Sequence, residues 1–308
     1  MSHNVLLLGG AGFLGRGLAR ALSERHISFC SRDIKDYDLH LMRPDDRKDF
    51  MQDLEMADTV VVLATKPLSS ENAGMTALYN QRIDMNIINT LERASEEFDK
   101  QFNVVYYSSS EVFGEVSDKL YCGTYESAKA QYMVKGELAE ACIPLEKIEA
   151  EAWYEQLLAE PCSPLKSLFV VYPFDITGVG QENGVLRSMI ESAKAYGRIC
   201  YPKGTTRTLT DIDIASGLVA GKIASIGKNG RSQRMFLCDT SCTVTMKTLA
   251  DIVKSMFSDK KSIEICDTAP KAYMNSSHMV EPDTDLATAK KWIEKWAVDL
   301  AYDFDMQI

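Results

Sequence analysis

The chain has 308 residues, 45% of them hydrophobic and 25% charged, an ordinary globular composition that excludes wholesale disorder, collagen-like repeats and a disulfide-dense scaffold. Its 34 basic against 44 acidic residues leave a formal net charge of −10, which provides no field to gather a phosphate backbone and argues against nucleic-acid binding. No apolar run approaches the roughly 18 residues that span a bilayer, so no membrane segment is expected. The eight cysteines and four histidines are too dispersed for a metal site, and the expectation is reduced thiols in the cytoplasm.

Val5–Leu8 is short and followed at once by glycines, so it reads as a buried strand rather than a signal peptide. The strand covers Asn4–Leu8, a helix follows over Phe13–Glu24, and a second strand over Ile27–Ser31. Next come a helix at Arg47–Glu55, a strand at Thr59–Ala64, a long helix at Met75–Phe98 and a strand at Asn103–Ser108. Strands alternating with helices imply βαβ units and a parallel sheet covered on both faces. Helical Leu145–Ala159 leads to a strand at Ser167–Tyr172, then Val185–Tyr196 reads as helix and Arg234–Cys238 as strand. Thr248–Met256 and Thr284–Trp296 read as helices, with Trp292 and Trp296 on one face as core packing. Otherwise the second half reads as irregular.

The strongest motif is Gly9-Gly10-Ala11-Gly12-Phe13-Leu14-Gly15, which leaves a strand and opens a helix. Gly9 suits the tight turn, Gly12 lets the backbone approach a pyrophosphate, and Gly15 lets the helix pack closely on the strand. The first helical N–H groups, from Phe13 and Leu14 onward, face the anion. Asp33 lies where the residue reading the adenosine ribose belongs, about 20 residues on, and favours NAD. Arg32 beside it suits a 2′-phosphate, so NADP stays open. The expected fold is α/β: a Rossmann-like doubly wound parallel sheet in residues 1–172, completed by 206–236. Residues 173–205 and 237–308 form a smaller mixed substrate lobe.

From here the sequence resembles the extended short-chain dehydrogenase/reductase family, the NAD-dependent epimerases and dehydratases that mostly rework nucleotide sugars. Leu63-Ala64-Thr65 looks like the strand end that passes beside the cofactor. Asn86-Ile87-Ile88-Asn89-Thr90 is similar to the Asn-x-x-Gly-Thr of the next helix, with Asn89 in place of glycine. Ser108-Ser109-Ser110-Glu111-Val112-Phe113-Gly114 matches the active-site strand end. The resemblance implies that Ser108 borders the cofactor, that Ser109 is the catalytic hydroxyl, and that Glu111 works as acid or base beside a 4-ketosugar.

A tyrosine and a lysine four residues apart share a helix face, and the ammonium lowers the phenol's pKa from near 10. Tyr125 and Lys129 supply such a pair. A second register, Leu145–Glu151, fits the family's connection lengths better and makes Lys147 the catalytic lysine, with Ile143 at the tyrosine position and Pro144 in the helix's first turn. Both registers stay open.

Pro173-Phe174-Asp175-Ile176-Thr177-Gly178 is similar to the family's Pro-Phe-Asn-Val-Tyr-Gly, with Asp175 replacing an asparagine that meets substrate phosphates. An aspartate suits that task poorly unless a cation intervenes. Arg207, in a segment resembling another family motif, is the candidate for holding a diphosphate through directed guanidinium donors. Asp213 reads as the cap of the helix that follows. These features imply an enzyme that modifies a nucleotide sugar with NAD through a transient ketosugar. An NADPH-dependent ketosugar reductase and a cofactor-binding regulatory protein without turnover are the alternatives. The family resemblance also allows a homodimer through paired helices.

Overall fold

The structure is a computed structural model, described over residues 4–66, 73–113, 138–226, 231–238, 242–257, 262–268 and 286–302. Two compact units divide it. The first contains the chain to Phe113, the segment ending at Tyr172, and Ser216–Phe236; the second contains Pro173–Ala215 and the chain from Leu237 onward. The return to the first unit therefore starts at Ser216, not at 206.

In the first unit, β1 (Val5–Leu8), β2 (Phe29–Arg32), β3 (Thr59–Val62), β4 (Phe102–Tyr107), β5 (Leu165–Pro173) and β9 (Ser232–Leu237) form one six-stranded sheet. Its order is β2-β1-β3-β4-β5-β9. The pairs from β2 to β5 are parallel. Leu168 N–H donates to Arg231 O and Phe174 N–H to Leu237 O, a constant offset that continues the parallel register into β9. All side chains of β1, β3 and β4 are buried, as a sheet covered on both faces requires. The covering helices include α1 (Phe13–Glu24), α2 (Pro44–Met56), α3 (Ala73–Phe98) and α4 (Leu138–Ala159). The strand order reverses direction between β1 and β3, and at such a switch point the loops diverge and leave room for a ligand.

Pro44 opens α2, and the Asp46 carboxylate accepts the Arg43 N–H at 3.0 Å, satisfying one donor at the helix start. One expectation needs correction. Helix α4 begins at Leu138, so Pro144 lies inside it rather than in its first turn. The proline has no N–H to give, and the helix forgoes that bond.

The second unit is more ordered than its sequence suggests. β6 (Asp175–Thr177), β8 (Thr206–Asp211) and β10 (Thr243–Thr245) form a three-stranded sheet, and β7 (Arg198–Pro202) pairs in parallel with β11 (Glu264–Thr268). These strands are three to six residues long, too short to show a period in sequence. The core joins α5 (Val185–Tyr196), α7 (Met246–Met256) and α8 (Leu286–Tyr302), through residues such as Ile190, Leu249, Ile293 and Trp296. Trp292 stacks on Trp296 at 5.7 Å between ring centroids, and the Trp296 indole donates to Asp211 Oδ2 at 2.8 Å.

Asp211 also accepts the N–H of Asp213 at 2.8 Å, capping α6 (Ile212–Ile223). Asp211 is therefore the cap expected of Asp213, which lies within the first turn. Cys200 and Cys266 are in-register neighbours on β7 and β11, with Cα atoms 4.8 Å apart, and they form a disulfide. The expectation of reduced thiols fails for this pair, because two short parallel strands 66 residues apart in sequence bring them together.

Gly15 shows how tightly the first βα unit is packed. A Cβ there would lie 2.5 Å from Gly9 O and 2.6 Å from Gly10 Cα, both rigid backbone atoms. Gly15→Ala should therefore destabilise the chain by about 1–3 kcal/mol, read as a lower urea midpoint at unchanged m-value.

Candidate active site

The turn after β1 is built around the close approach of three backbones. Gly9 has φ +88°, a conformation suited to glycine, and a Cβ on it would lie 2.7 Å from Ala64 N and 2.9 Å from Leu63 C. Gly9 and Gly10 both donate to the carbonyl of Arg32, at 2.9 and 3.2 Å, which ties the turn to the end of β2. Gly10 has its own requirement, absent from the sequence reading: a Cβ would lie 1.9 Å from Ser31 Oγ. Gly12 differs from these. A Cβ there would meet only Gly9 O, at 3.3 Å, so its outer side opens away from the protein.

Gly12 is also the N-cap of α1, with no side chain capping the helix and no acidic residue in the first turn. Phe13 and Leu14 are half-buried in that first turn, and Gly15 is buried. Helix N-termini hold anions through such N–H groups and the positive end of the dipole. The Asp33 carboxylate accepts the Ala11 N–H at 3.1 Å, so the residue expected to read the ribose stands at the glycine turn.

Arg32 points elsewhere. Its Nε and Nη2 donate to the two carboxylate oxygens of Asp53 on α2, at 2.6 and 2.8 Å, a bidentate grip on its guanidinium. Asp53 carried no signal in sequence, since nothing marks which exposed-face acid a strand-end arginine will meet.

Leu63 and Ala64 are half-buried against Gly9, while Thr65 is exposed. Asn86 on α3 donates to the carbonyls of Leu39 and His40, at 2.8 and 3.0 Å, and so holds the loop that follows β2. His40 stacks on Tyr79 at 3.8 Å in the same region.

At the end of β4, Ser109 is half-buried and its hydroxyl accepts the N–H of Glu111 at 3.2 Å. Glu111 stands in the short 3-10 turn Ser110–Phe113. Ser108 is turned inward instead: it is buried, and its hydroxyl donates to Glu151 of α4. Glu151 accepts the Tyr172 hydroxyl on its other oxygen at 2.7 Å, and burial pushes its carboxyl above the usual range. The Tyr172 ring meets Phe113 edge-on at 4.8 Å, so Glu151 braces the turn that carries Glu111 from two sides.

Of the two lysine registers, the described residues contain one. Tyr125 and Lys129 lie outside them, as does the side chain of Ile143. Lys147 is buried in the layer between α3, α4 and β4, where its ammonium donates to the Tyr106 hydroxyl at 3.3 Å and lies 3.7 Å from Glu146 Oε1. The hydroxyls of Tyr106 and Tyr154 each donate to Asp84, both at 3.4 Å. Tyr106 is fully buried, and desolvation pushes its phenol well above the ordinary value. It is therefore not the exposed, acidified phenol that hydride chemistry needs. None of Asn80, Asp84, Glu146, Glu151 and Tyr154 was singled out in sequence. Only the spacing of Glu151 four residues after Lys147, on the same helix face, could have flagged one of them.

In the second unit, Arg207 on β8 is buried and its Nη1 lies 3.2 Å from Asp175 Oδ2 on β6. This ion pair places a cation beside Asp175. Among the described residues, the Arg207 Nε is buried without a hydrogen-bond partner.

Sheet order, switch point and glycine turn define a Rossmann-type α/β protein with an anion-receptive first βα turn. More narrowly, residues 5–134 match the model of the NAD dependent epimerase/dehydratase family. No curated protein matches the sequence. Solved structures share the fold across nearly the whole chain at low identity. The NAD dependent NDP-hexosamine 5,6-dehydratase TunA is 15% identical, with a TM-score of 0.66 and 99% of each chain covered. A UDP-glucose 4-epimerase of Thermus thermophilus, solved with NAD, is 12% identical, with a TM-score of 0.61 over 96% of this chain and 98% of that one. A GDP-mannoheptose C4 reductase of Campylobacter jejuni, solved with NADP, is 16% identical, with a TM-score of 0.66 over 96% and 98%.

Asp84 gives a measurable handle on the buried cluster. Burial pushes its carboxyl up to about 7, against the pull of Lys147. A folded-state value above the unfolded one means Asp84 contributes most below about pH 4, where both states are protonated. That contribution falls as pH rises toward about 7 and is gone above it. Asp84→Asn should flatten this part of the stability profile, so its urea midpoint falls less than the parent's between those limits.

Proposed function

We propose that the chain is an enzyme that binds NAD and modifies a nucleotide sugar through a transient ketosugar, in the manner of epimerases, dehydratases and decarboxylases. The observation that carries this reading is the Asp33 carboxylate at the glycine turn, with Arg32 held away by Asp53. The residues present fit the cofactor: Gly12 leaves its outer side open, and the N-terminus of α1 offers N–H groups for the pyrophosphate. Asp33 would accept the ribose hydroxyls. Bound NAD would take a hydride from the sugar and return it. Ser109 would then donate to the sugar oxygen, and the Glu111 carboxylate would move a proton at the neighbouring carbon.

The phenol is assigned to Tyr125, with Lys129 as the lysine one turn on. The engagement of the Lys147 ammonium by Tyr106 and Glu146 speaks for this register. Arg207 is the proposed phosphate anchor, with Asp175 orienting the guanidinium. The same engagement of Lys147 supports a second reading, a cofactor-binding regulator without turnover. An NADPH-dependent ketosugar reductase is the third, since one similar fold was solved with NADP. A homodimer through α3 is supported by the exposed apolar stripe Met75, Leu78 and Met85.

Small molecules released by denaturing freshly purified protein should include NAD, and mass spectrometry will identify any nucleotide sugar that accompanies it. Recovery of NADP would move the assignment to the reductase. Asp33→Asn should narrow the preference for NAD over NADP by about tenfold or more, the loss of one charge-assisted hydrogen bond. Arg32→Ala should leave that preference unchanged while lowering stability, because its partner is Asp53; paired titrations with the two nucleotides check both.

A further inference from the structure

The loop leaving β3 is fastened by a side chain that imitates a backbone partner. Asn80 on α3 accepts the Lys66 N–H on Oδ1 at 2.7 Å and donates from Nδ2 to the Lys66 carbonyl at 3.2 Å. The same Nδ2 donates to Glu146 Oε2 on α4 at 3.1 Å. Asn80 and Glu146 are both almost completely buried, at 2% and 1% exposure. Every hydrogen-bonding group of the amide is thereby used, in an orientation only an amide satisfies. Two and three residues before Lys66 stand Ala64 and Leu63, whose backbone closely approaches Gly9 of the glycine turn. A chain of contacts therefore leads from α4 through Asn80 to the loop that packs against the proposed cofactor cradle.

Glu146 is a junction in this chain. One carboxylate oxygen faces Asn80, and the other lies 3.7 Å from the Lys147 ammonium, with no hydrogen-bond partner of its own among the described residues. We propose that Asn80 and Glu146 are positioning residues for dinucleotide binding: Glu146 orients the Asn80 amide, and Asn80 fixes residues 63–66 against the glycine turn. The proposal rests on the NAD reading above. It assigns no contact between either residue and the cofactor.

The geometry makes Glu146 act through Asn80, so their substitutions must not add. NAD titrations with thermal melts on the full chain test this in Asn80→Leu, Glu146→Ala, Glu146→Gln and the double variant. Asn80→Leu and Glu146→Ala should each weaken NAD binding by about tenfold, the loss of about one buried hydrogen bond. Glu146→Gln keeps an oxygen for Asn80 and should stay within about threefold of the parent, as a charge-independent positioning role requires. The double variant should bind no more weakly than Asn80→Leu alone. Folded variants whose losses multiply, or an Asn80→Leu variant with unchanged affinity, would overturn the proposal.

A cofactor-independent readout separates this outcome from failure of the NAD reading. The Lys66 amide should exchange slowly with solvent in the parent chain and faster in Glu146→Ala. If the parent binds no NAD, the cofactor reading falls. Equal Lys66 exchange in the two chains would then overturn the positioning role as well, and slowed exchange in the parent alone would support it.

Discussion

The first unit depends on one steric constraint, the approach of the Gly9 backbone to the backbone of Leu63 and Ala64. Any side chain at Gly9 would force β1 and β3 apart at their C-terminal ends, where the strand order reverses. Because Gly9 and Gly10 also bond to the end of β2, the same contact places Asp33 over the turn. Helix α1 follows the same logic, since Gly15 rests on the backbone of Gly9 and Gly10. Four glycines within seven residues therefore serve two purposes: Gly9, Gly10 and Gly15 yield space to the protein, and Gly12 yields it to the outside.

The buried layer between α3, α4 and β4 answers a different physical demand. Among the described residues, Asp84 and Glu146 share it with one buried lysine, Lys147, and two tyrosine hydroxyls. Burial penalises the charged form of each acid and raises both carboxyls, against the opposing pull of the Lys147 ammonium. A lysine placed here is a counter-ion first. A role in proton transfer would require its ammonium to leave Tyr106 and Glu146.

The first unit is largely readable because β1 and β3 are continuous apolar runs and α1 opens directly on a glycine turn. Val5–Leu8, Thr59–Val62 and the turn between Gly9 and Gly15 announce themselves within a few residues of local sequence. The second unit was not, since β6 and β10 are three residues each and their partners lie far away in the chain. The candidate site divides in the same way. Asp33 at the glycine turn followed from spacing, whereas the Arg32–Asp53 and Arg207–Asp175 pairs are tertiary facts that no window of sequence contains. Pro144 shows a local rule overridden, because the extensive packing of α4 on α3 tolerates a missing backbone bond.

Strand β9 lies at the edge of the six-stranded sheet, yet in the chain it comes after all of Pro173–Ala215. During synthesis β5 therefore emerges long before its neighbour on that side. Its nine residues, eight of them buried or half-buried in the finished sheet, present an open row of backbone donors and acceptors until residues 232–237 leave the ribosome. A nascent chain of this design leaves that strand edge open for the time needed to translate about sixty residues.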